Sequence, residues 1–583
     1  MSVLEQVKAN YNRALARRDL IAGLTVAAIS LPQGMAYALI AGVDPKFGVY
    51  SAIVVTAVAS IFGSSSHLIN GPTSAISLLV FSSLAFIDPE NRTDLFEALF
   101  LLGVLVGVIQ ILISVFKLGD LTRYISESVI IGFMAAAAFL LALGQLGNAL
   151  GVKDKGNGHM QVLYRTYLTL FHGDAINGRA VVLSATAVVS AVVLRKLVQR
   201  LGWPQIDMLA VLVITATVAY VAQWSTPGAG GKTAVSIAGK IPASLPTPHI
   251  PEVHLDWLPQ LTQGALAVAF IGLIEALSIA KAIAHQTQQQ IDYNRQIAAE
   301  GLANLTGGFF QSLPGSGSLS RSAINHQSGA ATRFSGIVAA VTVAAALLLF
   351  APLLSYIPKA ALAGLLLVTA VRLVDFRRLV YTVRASRYDA GLVIITAITG
   401  VAIDLDKAVL LGVLLSILLF VPRAAKLKTA ELVVTGEGVV RERLPGDTAD
   451  SKVLLFDVEG ELFFGAAPEL EQFLDNVAAR TRATEAKFVI LRLKRSRNPD
   501  AVCIERIEHF LRELTGQGVT VLLAGVRPDL LGVLGNVGLR QWFPDAHVFP
   551  EEDKEYSATL KAVRYAQAEL TPDGSGTGLY YLV

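Results

Sequence analysis

The sequence predicts a polytopic, all-α membrane domain followed by a small α/β domain. Three observations lead there. Mean hydropathy is +0.56, 53% of residues are hydrophobic and 16% are charged, whereas a soluble domain carries about 25% charged residues. The missing charge returns only after about residue 420, where apolar spans give way to strand-like and amphipathic helical runs. Within the apolar part, two polar stretches broken by Gly and Pro stand out: "SSSHLINGPTSAISLL" (64–79) and "FFQSLPGSGSLSRSAINH" (309–326).

Residues 1–19 are polar and helical in pattern and lack the apolar core of a signal peptide, so the first span is expected to be retained. A spanning helix needs about 20 apolar residues. Candidate spans fall near 20–41, 47–63, 72–87, 96–116, 125–147, 178–198 and 206–224, then near 260–284, 296–311, 318–331, 335–355, 359–373, 388–404 and 407–422. That makes fourteen, seven in each half. The third of each set is short. At 1.5 Å per residue, 72–87 gives about 24 Å and 318–331 about 21 Å, so each must be completed by the extended segment before it.

Fourteen spans put all basic loops on one side: Lys8, Arg13, Arg17 and Arg18; Lys117 and Arg123; Arg195, Lys196 and Arg200; the loop 372–387; and Arg423, Lys426 and Lys428. The positive-inside rule makes that side cytoplasmic, with both termini there and the chain in the cell inner (plasma) membrane. From about 428 onward, strand-like runs ("ELVVTG", "KVLLFDVEG", "KFVILRL", "VTVLLAG", "AHVF") alternate with helical patterns at 467–480, 501–516, 528–537 and 555–569. The expected divisions are therefore 1–19, a transmembrane domain over 20–423, an α/β domain over 424–570, and a Gly/Ser-containing tail, 571–583.

Several functions are set aside. A net charge of +3 and the lack of a basic-aromatic stripe argue against nucleic acid. The single cysteine, Cys503, rules out an internal disulfide, and no Cys/His spacing suggests a metal. His67, His159, His172 and His285 fall in predicted loops or at span ends and are expected to be solvated. With no P-loop and no nucleophile–base signature, neither an enzyme nor a resident cofactor is expected.

The polar residues inside spans carry the functional reading, because each needs a partner or a wet cavity. In the first span Pro32 removes a backbone hydrogen bond, Gly34 permits close approach, and Gln33 and Tyr37 share one face. Gln33 would donate to a substrate oxygen or to another helix; Tyr37 would do the same or simply pack. In the first broken motif Pro72 suits a helix's first turn, and Thr73 and Ser74 open the helix with hydroxyls. In the second, Gly315 and Gly317 allow extended backbone, Ser318, Leu319 and Ser320 offer N–H groups, and Arg321 adds positive charge. Two helices starting at mid-membrane, one in each half, aim free N–H groups and positive dipole ends at that depth, the pattern of a transporter's anion site. The bland alternative is a pair of kinks with no ligand. Glu275, near the centre of the eighth span, is either a coupling group that gains and loses a proton, a group beside a bound cation (Na⁺), or the partner of Arg321 in a permanent ion pair.

The stretches "DLIAGLTVAAISLPQGMAYALIAGVDPKFGVYSA", "FGSSSHLINGPTSAISLL" and "NRQIAAEGLANLTGGFFQSLPGSGSLSRSAIN" resemble the SulP anion-transporter family of sulfate permeases, cyanobacterial bicarbonate transporters, pendrin and prestin. The resemblance implies seven-plus-seven inverted repeats as in uracil permease, core and gate domains, elevator-like alternating access, a C-terminal STAS domain and a homodimer. It places the anion site on Gln33, Tyr37, Thr73, Ser318, Leu319, Ser320 and Arg321, and cation or proton coupling on Glu275. Sodium-coupled bicarbonate relatives carry Asp and, four residues later, Thr in this span; here stand Glu275 and Ile279, which favours protons. STAS relatives with a phosphoswitch carry Ser or Thr after an Asp; here Ala501, Val502 and Cys503 follow Asp500, which speaks against one. The expectation is proton-coupled symport of a small oxyanion: sulfate, bicarbonate or a dicarboxylate. The alternatives are an uncoupled exchanger or channel-like conductor, a sodium-coupled bicarbonate transporter, and a membrane-anchored STAS regulator.

Overall fold

The computed structural model describes residues 12–570 except 89–90, 118–125, 154, 156–161, 202–206, 227–232, 240, 436–438, 445–446, 448–451 and 555. Residues 1–11 of the expected N-terminal segment, the 571–583 tail, Arg123 and His159 lie outside the described residues.

Each predicted span coincides with a helix. The first half holds α1 (Arg13–Ile40), α2 (Pro45–Phe62), α3 (Ser74–Ser83), α4 (Arg92–Val115), α5 (Glu127–Leu150), α6 (Val162–Phe171), α7 (Gly178–Leu201) and α8 (Asp207–Val221). The second holds α9 (Leu258–Thr287), α10 (Tyr293–Phe309), α11 (Leu319–Gln327), α12 (Phe334–Leu354), α13 (Lys359–Leu373), α14 (Phe376–Ala385), α15 (Arg387–Ala402) and α16 (Leu405–Ala424). Among the described residues, 8 helices are long and apolar enough to cross a membrane by themselves. Two helices were not anticipated. Both α6 and α14 are short and amphipathic, and α14 occupies what read as the basic loop 372–387.

Helices α3 and α11 are shorter than predicted, at 10 and 9 residues. Both stop early, in turns at 84–86 and 328–329, and extended backbone precedes each. Residues 70–71 (β1) and 316–317 (β2) pair antiparallel, Asn70 opposite Gly317 and Gly71 opposite Ser316. The segments before the two half-helices thus cross inside the bundle.

The helices pack in two sets: α1–α4 with α9–α12, and α5, α7 and α8 with α13 and α15; α16 joins the second, its Gly412 lying against Val129 of α5 and Thr396 of α15. Small residues allow close crossings. A Cβ on Gly48 of α2 would stand 1.9 Å from the carbonyl oxygen of Gly34 on α1, closer than any atom pair tolerates. Between the sets, α1 touches α8 and α13, and α3 touches α5.

The chain divides into two compact units, Met1–Ser416 and Ile417–Val583, so the division falls within α16. The second unit has a mixed sheet in the order β4-β3-β5-β6-β7-β8. Its strands are β3 (Lys428–Val434), β4 (Val440–Glu442), β5 (Val453–Glu461), β6 (Phe488–Arg497), β7 (Thr520–Val526) and β8 (Val548–Pro550). Strands β5 to β8 run parallel, and β3 is antiparallel to β4 and β5. Alternation along β6 sends Val489, Leu491 and Leu493 to a core with Leu470 and Leu474 of α17 (Ala467–Thr484) and Ile507 and Leu511 of α18 (Ala501–Gly516). Phe488 and Ile490 face the other core, with Leu560 and Val563 of a C-terminal helix, Ser557–Leu570. Both faces are covered, as parallel strands require. Asp500 caps α18, accepting from the Cys503 N–H at 3.0 Å.

Candidate functional site

Thr73 is the N-cap of α3 and Ser318 the N-cap of α11. Each hydroxyl accepts from the third helical N–H: Ile76 to Thr73 at 3.4 Å and Arg321 to Ser318 at 3.5 Å. In a first helical turn the N–H groups have no intrahelical acceptor, so those of Ser74 and Ala75 and of Leu319 and Ser320 remain at the two helix starts. Pro72 stands one residue outside the cap rather than in the first turn, because Thr73 is extended (φ −124°, ψ 162°).

Side chains from the surrounding helices hold the crossing. Thr56 of α2 donates to the Asn70 carbonyl at 2.6 Å, and Ser51 donates to the Leu313 carbonyl at 2.7 Å. The Gly315 N–H donates to Asn304 Oδ1 at 2.8 Å, while Asn304 Nδ2 donates to the Gly315 carbonyl at 3.0 Å and to Gln110 Oε1 at 2.9 Å. Ser318 N–H donates to the Ile69 carbonyl at 2.9 Å, and Ser322 Oγ accepts from the Ile69 N–H at 2.9 Å.

Arg321 is 0% exposed. Its Nη2 donates to the Pro72 carbonyl at 2.7 Å, so the guanidinium of one half-helix reaches the residue preceding the other. Among the described residues, Nε and Nη1 have no hydrogen-bond partner. Gly71, at φ +139°, is what lets the guanidinium in: a Cβ there would stand 2.7 Å from Nη1.

Glu275, half-buried on α9, accepts from Ser316 Oγ at 2.8 Å and from Thr73 Oγ1 at 3.1 Å. Among the described residues no salt bridge joins it to Arg321, which lies within electrostatic reach; its close partners are two neutral hydroxyls, one from each crossing segment. Tyr37 is buried within electrostatic reach of both Arg321 and Glu275. Gln33, also buried, directs Nε2 at the Met208 sulfur of α8 at 3.5 Å, and its Oε1 has no partner among the described residues. Leu319, 61% exposed, and Ser320 face outward from the helix start. The first span, both half-helices and the eighth span therefore meet at one place.

Other polar residues of this region carry no role in the sequence reading. Ser316 lies inside a quoted motif yet was not singled out. Asn304, Gln110 and Glu300 are buried in apolar spans, and such residues at membrane depth call for partners; that was the available signal. Glu300 accepts from Gln296 Nε2 at 3.1 Å, and Gln296 Oε1 accepts from the N–H groups of Ser64 and Ser65 at 2.9 and 3.1 Å. His67 is a correction: it is buried, not solvated, with Nε2 3.2 Å from the Ala330 carbonyl and its ring edge-on to His326 at 5.0 Å. His172 and His285 are exposed. No group of acidic, His or Cys side chains able to hold a metal occurs among the described residues.

A cavity of ≈ 420 Å³ lies elsewhere, at the far end of α3. Leu39, Leu78 and Phe81 of the first helix set line it on one side and Leu140, Gln145 and Leu405 of the second set on the other. Ser82 donates to Asp406 at 2.9 Å beside it. It is separate from the helix starts.

The model of the sulfate permease family matches residues 17–396 and that of the STAS domain residues 447–555. A putative sulfate transporter of Bacillus subtilis, YvdB, is 28% identical over 93% of this chain and 98% of its own length. The chloroplastic sulfate transporter 4.1 of Arabidopsis thaliana is 27% identical over 90% of this chain and 78% of its own. In fold, the chain is similar to the murine Slc26a9 anion transporter in its inward-facing state, with a TM-score of 0.84 at 21% identity over 97% of this chain and 94% of that one. It is also similar to the transmembrane domain of the cyanobacterial bicarbonate transporter BicA, with a TM-score of 0.59 at 22% identity over 70% of this chain and 98% of that one.

Proposed function

From the premise that this chain belongs to the sulfate permease family, a family of multi-pass membrane proteins, we propose that it is a secondary active transporter that carries a small oxyanion together with a proton. Sulfate heads the candidates, since curated relatives are named sulfate transporters; bicarbonate and dicarboxylates share the same chemistry. The observation that carries the reading is the meeting of two half-helix starts around Arg321, whose Nε and Nη1 are buried without partners among the described residues. Free N–H groups, dipole ends and a fixed cation converge there, which is how a helix terminus binds an anion. Gln33, Tyr37, Thr73, Ser318, Leu319, Ser320 and Arg321 form the substrate site.

Glu275 is the coupling group. It takes a proton as the anion binds and offsets charge while the site crosses the membrane. Its neighbours support a proton over sodium. Ile279, one turn along, packs among Leu68, Ala276, Ala280 and Ile283 and offers no oxygen to a cation. The helix sets support an elevator-like motion, because the set α1–α4 with α9–α12 carries every proposed substrate and coupling residue. The protein works as a homodimer in the cell inner membrane, with both termini and the 424–570 STAS domain cytoplasmic.

The test is uptake of labelled sulfate, bicarbonate and fumarate by proteoliposomes, with and without an inward proton gradient. At least one anion should accumulate with the gradient, Glu275→Gln should abolish that accumulation, and Arg321→Ala should raise the apparent KM. Flux indifferent to the gradient would make the protein an uncoupled exchanger or channel-like conductor. No flux of any anion would leave the STAS domain as the working part.

A further inference from the structure

Helix α14 has an unusual situation. It is ten residues long, none of them buried. Two residues, Val374 and Asp375, join it to α13, and one, Ser386, joins it to α15. A linker of two residues reaches about 7 Å at most, so α14 cannot leave the level at which those two helices end. Asp375 caps it, accepting from the Arg378 N–H at 3.0 Å. Arg378 also forms an ion pair with Glu127 at the start of α5. The helix is fixed in place rather than a loose loop.

At 3.6 residues per turn, Phe376, Val380 and Val383 form one stripe. They are 60%, 47% and 37% exposed. Arg377 and Arg384 flank that stripe on one side, and both are exposed. Arg372, in the last turn of α13, and Arg387, the first residue of α15, extend the basic border at either end, and Arg195 of α7 lies within electrostatic reach of Arg372.

We propose that α14 is an interfacial anchor that seats its apolar stripe in the surrounding bilayer and binds anionic phospholipid headgroups through Arg377 and Arg384. The chemistry is that of a membrane-surface helix: apolar side chains enter the acyl-chain boundary, and long basic side chains reach the phosphates. Charge complementarity selects an anionic over a zwitterionic headgroup. The short tethers exclude a distant partner, because they hold the stripe at the ends of α13 and α15. The anchor loads directly onto the second helix set, since α14 packs on α15 and α5. The inference requires only that the chain spans a membrane, so it stands or falls separately from the anion and its coupling.

The experiment uses the full chain in vesicles of three parts phosphatidylcholine to one part phosphatidylglycerol. Val380→Cys and Tyr381→Cys are each labelled with bimane; the native Cys503 is buried and does not compete. Nitroxide lipids labelled near the headgroup should quench position 380 severalfold more strongly than aqueous iodide does. Position 381, about 100° round the helix from 380 and 75% exposed, should show the reverse. Nitroxide phosphatidylglycerol should quench position 380 more than nitroxide phosphatidylcholine at equal content, and Arg377→Gln with Arg384→Gln should erase that difference. Iodide reaching position 380, protection of position 380 from both quenchers, or equal quenching by the two lipids in the parent protein would each overturn the proposal. Protection from both would mean that protein, not lipid, covers the stripe.

Discussion

Asn304 is the side chain on which the crossing depends most. Its amide makes two reciprocal bonds to Gly315, 2.8 and 3.0 Å, and a third to Gln110, 2.9 Å. Asn304→Ala leaves three buried polar groups without that partner: the Gly315 N–H, the Gly315 carbonyl and Gln110 Oε1. Each such group costs about 1–3 kcal/mol, so the sum is about 3–9 kcal/mol, with the lower end reached if water enters the gap. Ser114→Ala is the control in the same helix set, because Ser114 makes one bond, to the Asn294 carbonyl at 2.9 Å, and its removal should cost about 1–3 kcal/mol by the same reasoning. Thermal unfolding of the purified protein in detergent, followed by intrinsic fluorescence, reads both. Asn304→Ala should lower the midpoint well beyond Ser114→Ala. It should also raise the transport KM, since Ser316, next in sequence to Gly315, would lose its position against Glu275. An Asn304→Ala protein that melts with the Ser114→Ala control and keeps the parent KM would refute the claim that this amide holds the site.

Two further outcomes follow from local geometry. A Cβ on Gly317 would stand 2.8 Å from the Ala276 Cα and 2.9 Å from Leu68 Cδ1, and overpacking of this kind costs about 1–3 kcal/mol; Gly317→Ala should fold with reduced stability and lose most uptake, and uptake equal to the parent would show that the crossing can yield. In the second unit, burial pushes the Cys503 thiol up to about 12, with Asp500 adding to the shift. The raised value means that its contribution to stability is complete below the unfolded thiol's pKa, about 8.5, and is lost as pH rises from there toward 12. Folded protein should therefore resist maleimide at neutral pH and react once denatured, and rapid labelling of native protein would contradict the burial.

The spans were legible because length and hydropathy fix them almost independently of tertiary context. The half-helices were legible as truncated spans, because Gly315, Gly317 and Pro72 interrupt runs that would otherwise cross. Their crossing was not. A strand of two residues has no periodicity, and the pairing of Asn70 with Gly317 joins the two halves of the chain. Asn304 was hidden by its setting, since "AEGLANLTGG" reads as a span and the partner of a buried amide cannot be inferred from its neighbours in sequence. Helix α14 was missed for a different reason. Arg372, Arg377, Arg378, Arg384 and Arg387 dominated the reading as a basic loop, although Phe376, Val380 and Val383 fall at helical spacing. The burial of His67 follows from the second half of the chain, through Ala330 and His326, and nothing near residue 67 announces it.

Irregular backbone survives at membrane depth only where protein or a wet cavity satisfies it. Here the accounting is one-sided. On the side facing α2, α4 and α10, side chains satisfy the crossing: Thr56 takes the Asn70 carbonyl, Ser51 the Leu313 carbonyl and Asn304 both groups of Gly315. Toward α9 and the two helix starts, by contrast, satisfaction is incomplete. The Thr73 and Ser316 hydroxyls converge on one oxygen of Glu275, the first-turn N–H groups have no helical acceptor, and two guanidinium nitrogens of Arg321 have no partner among the described residues. A bundle that needed only to be stable would gain by satisfying both sides, since every orphaned donor costs free energy. The unsatisfied groups are nearly all donors, clustered with a positive charge, and beside them stands one carboxyl. That combination suits a solute carrying negative charge and several acceptor oxygens, with the carboxyl as the place where charge is balanced.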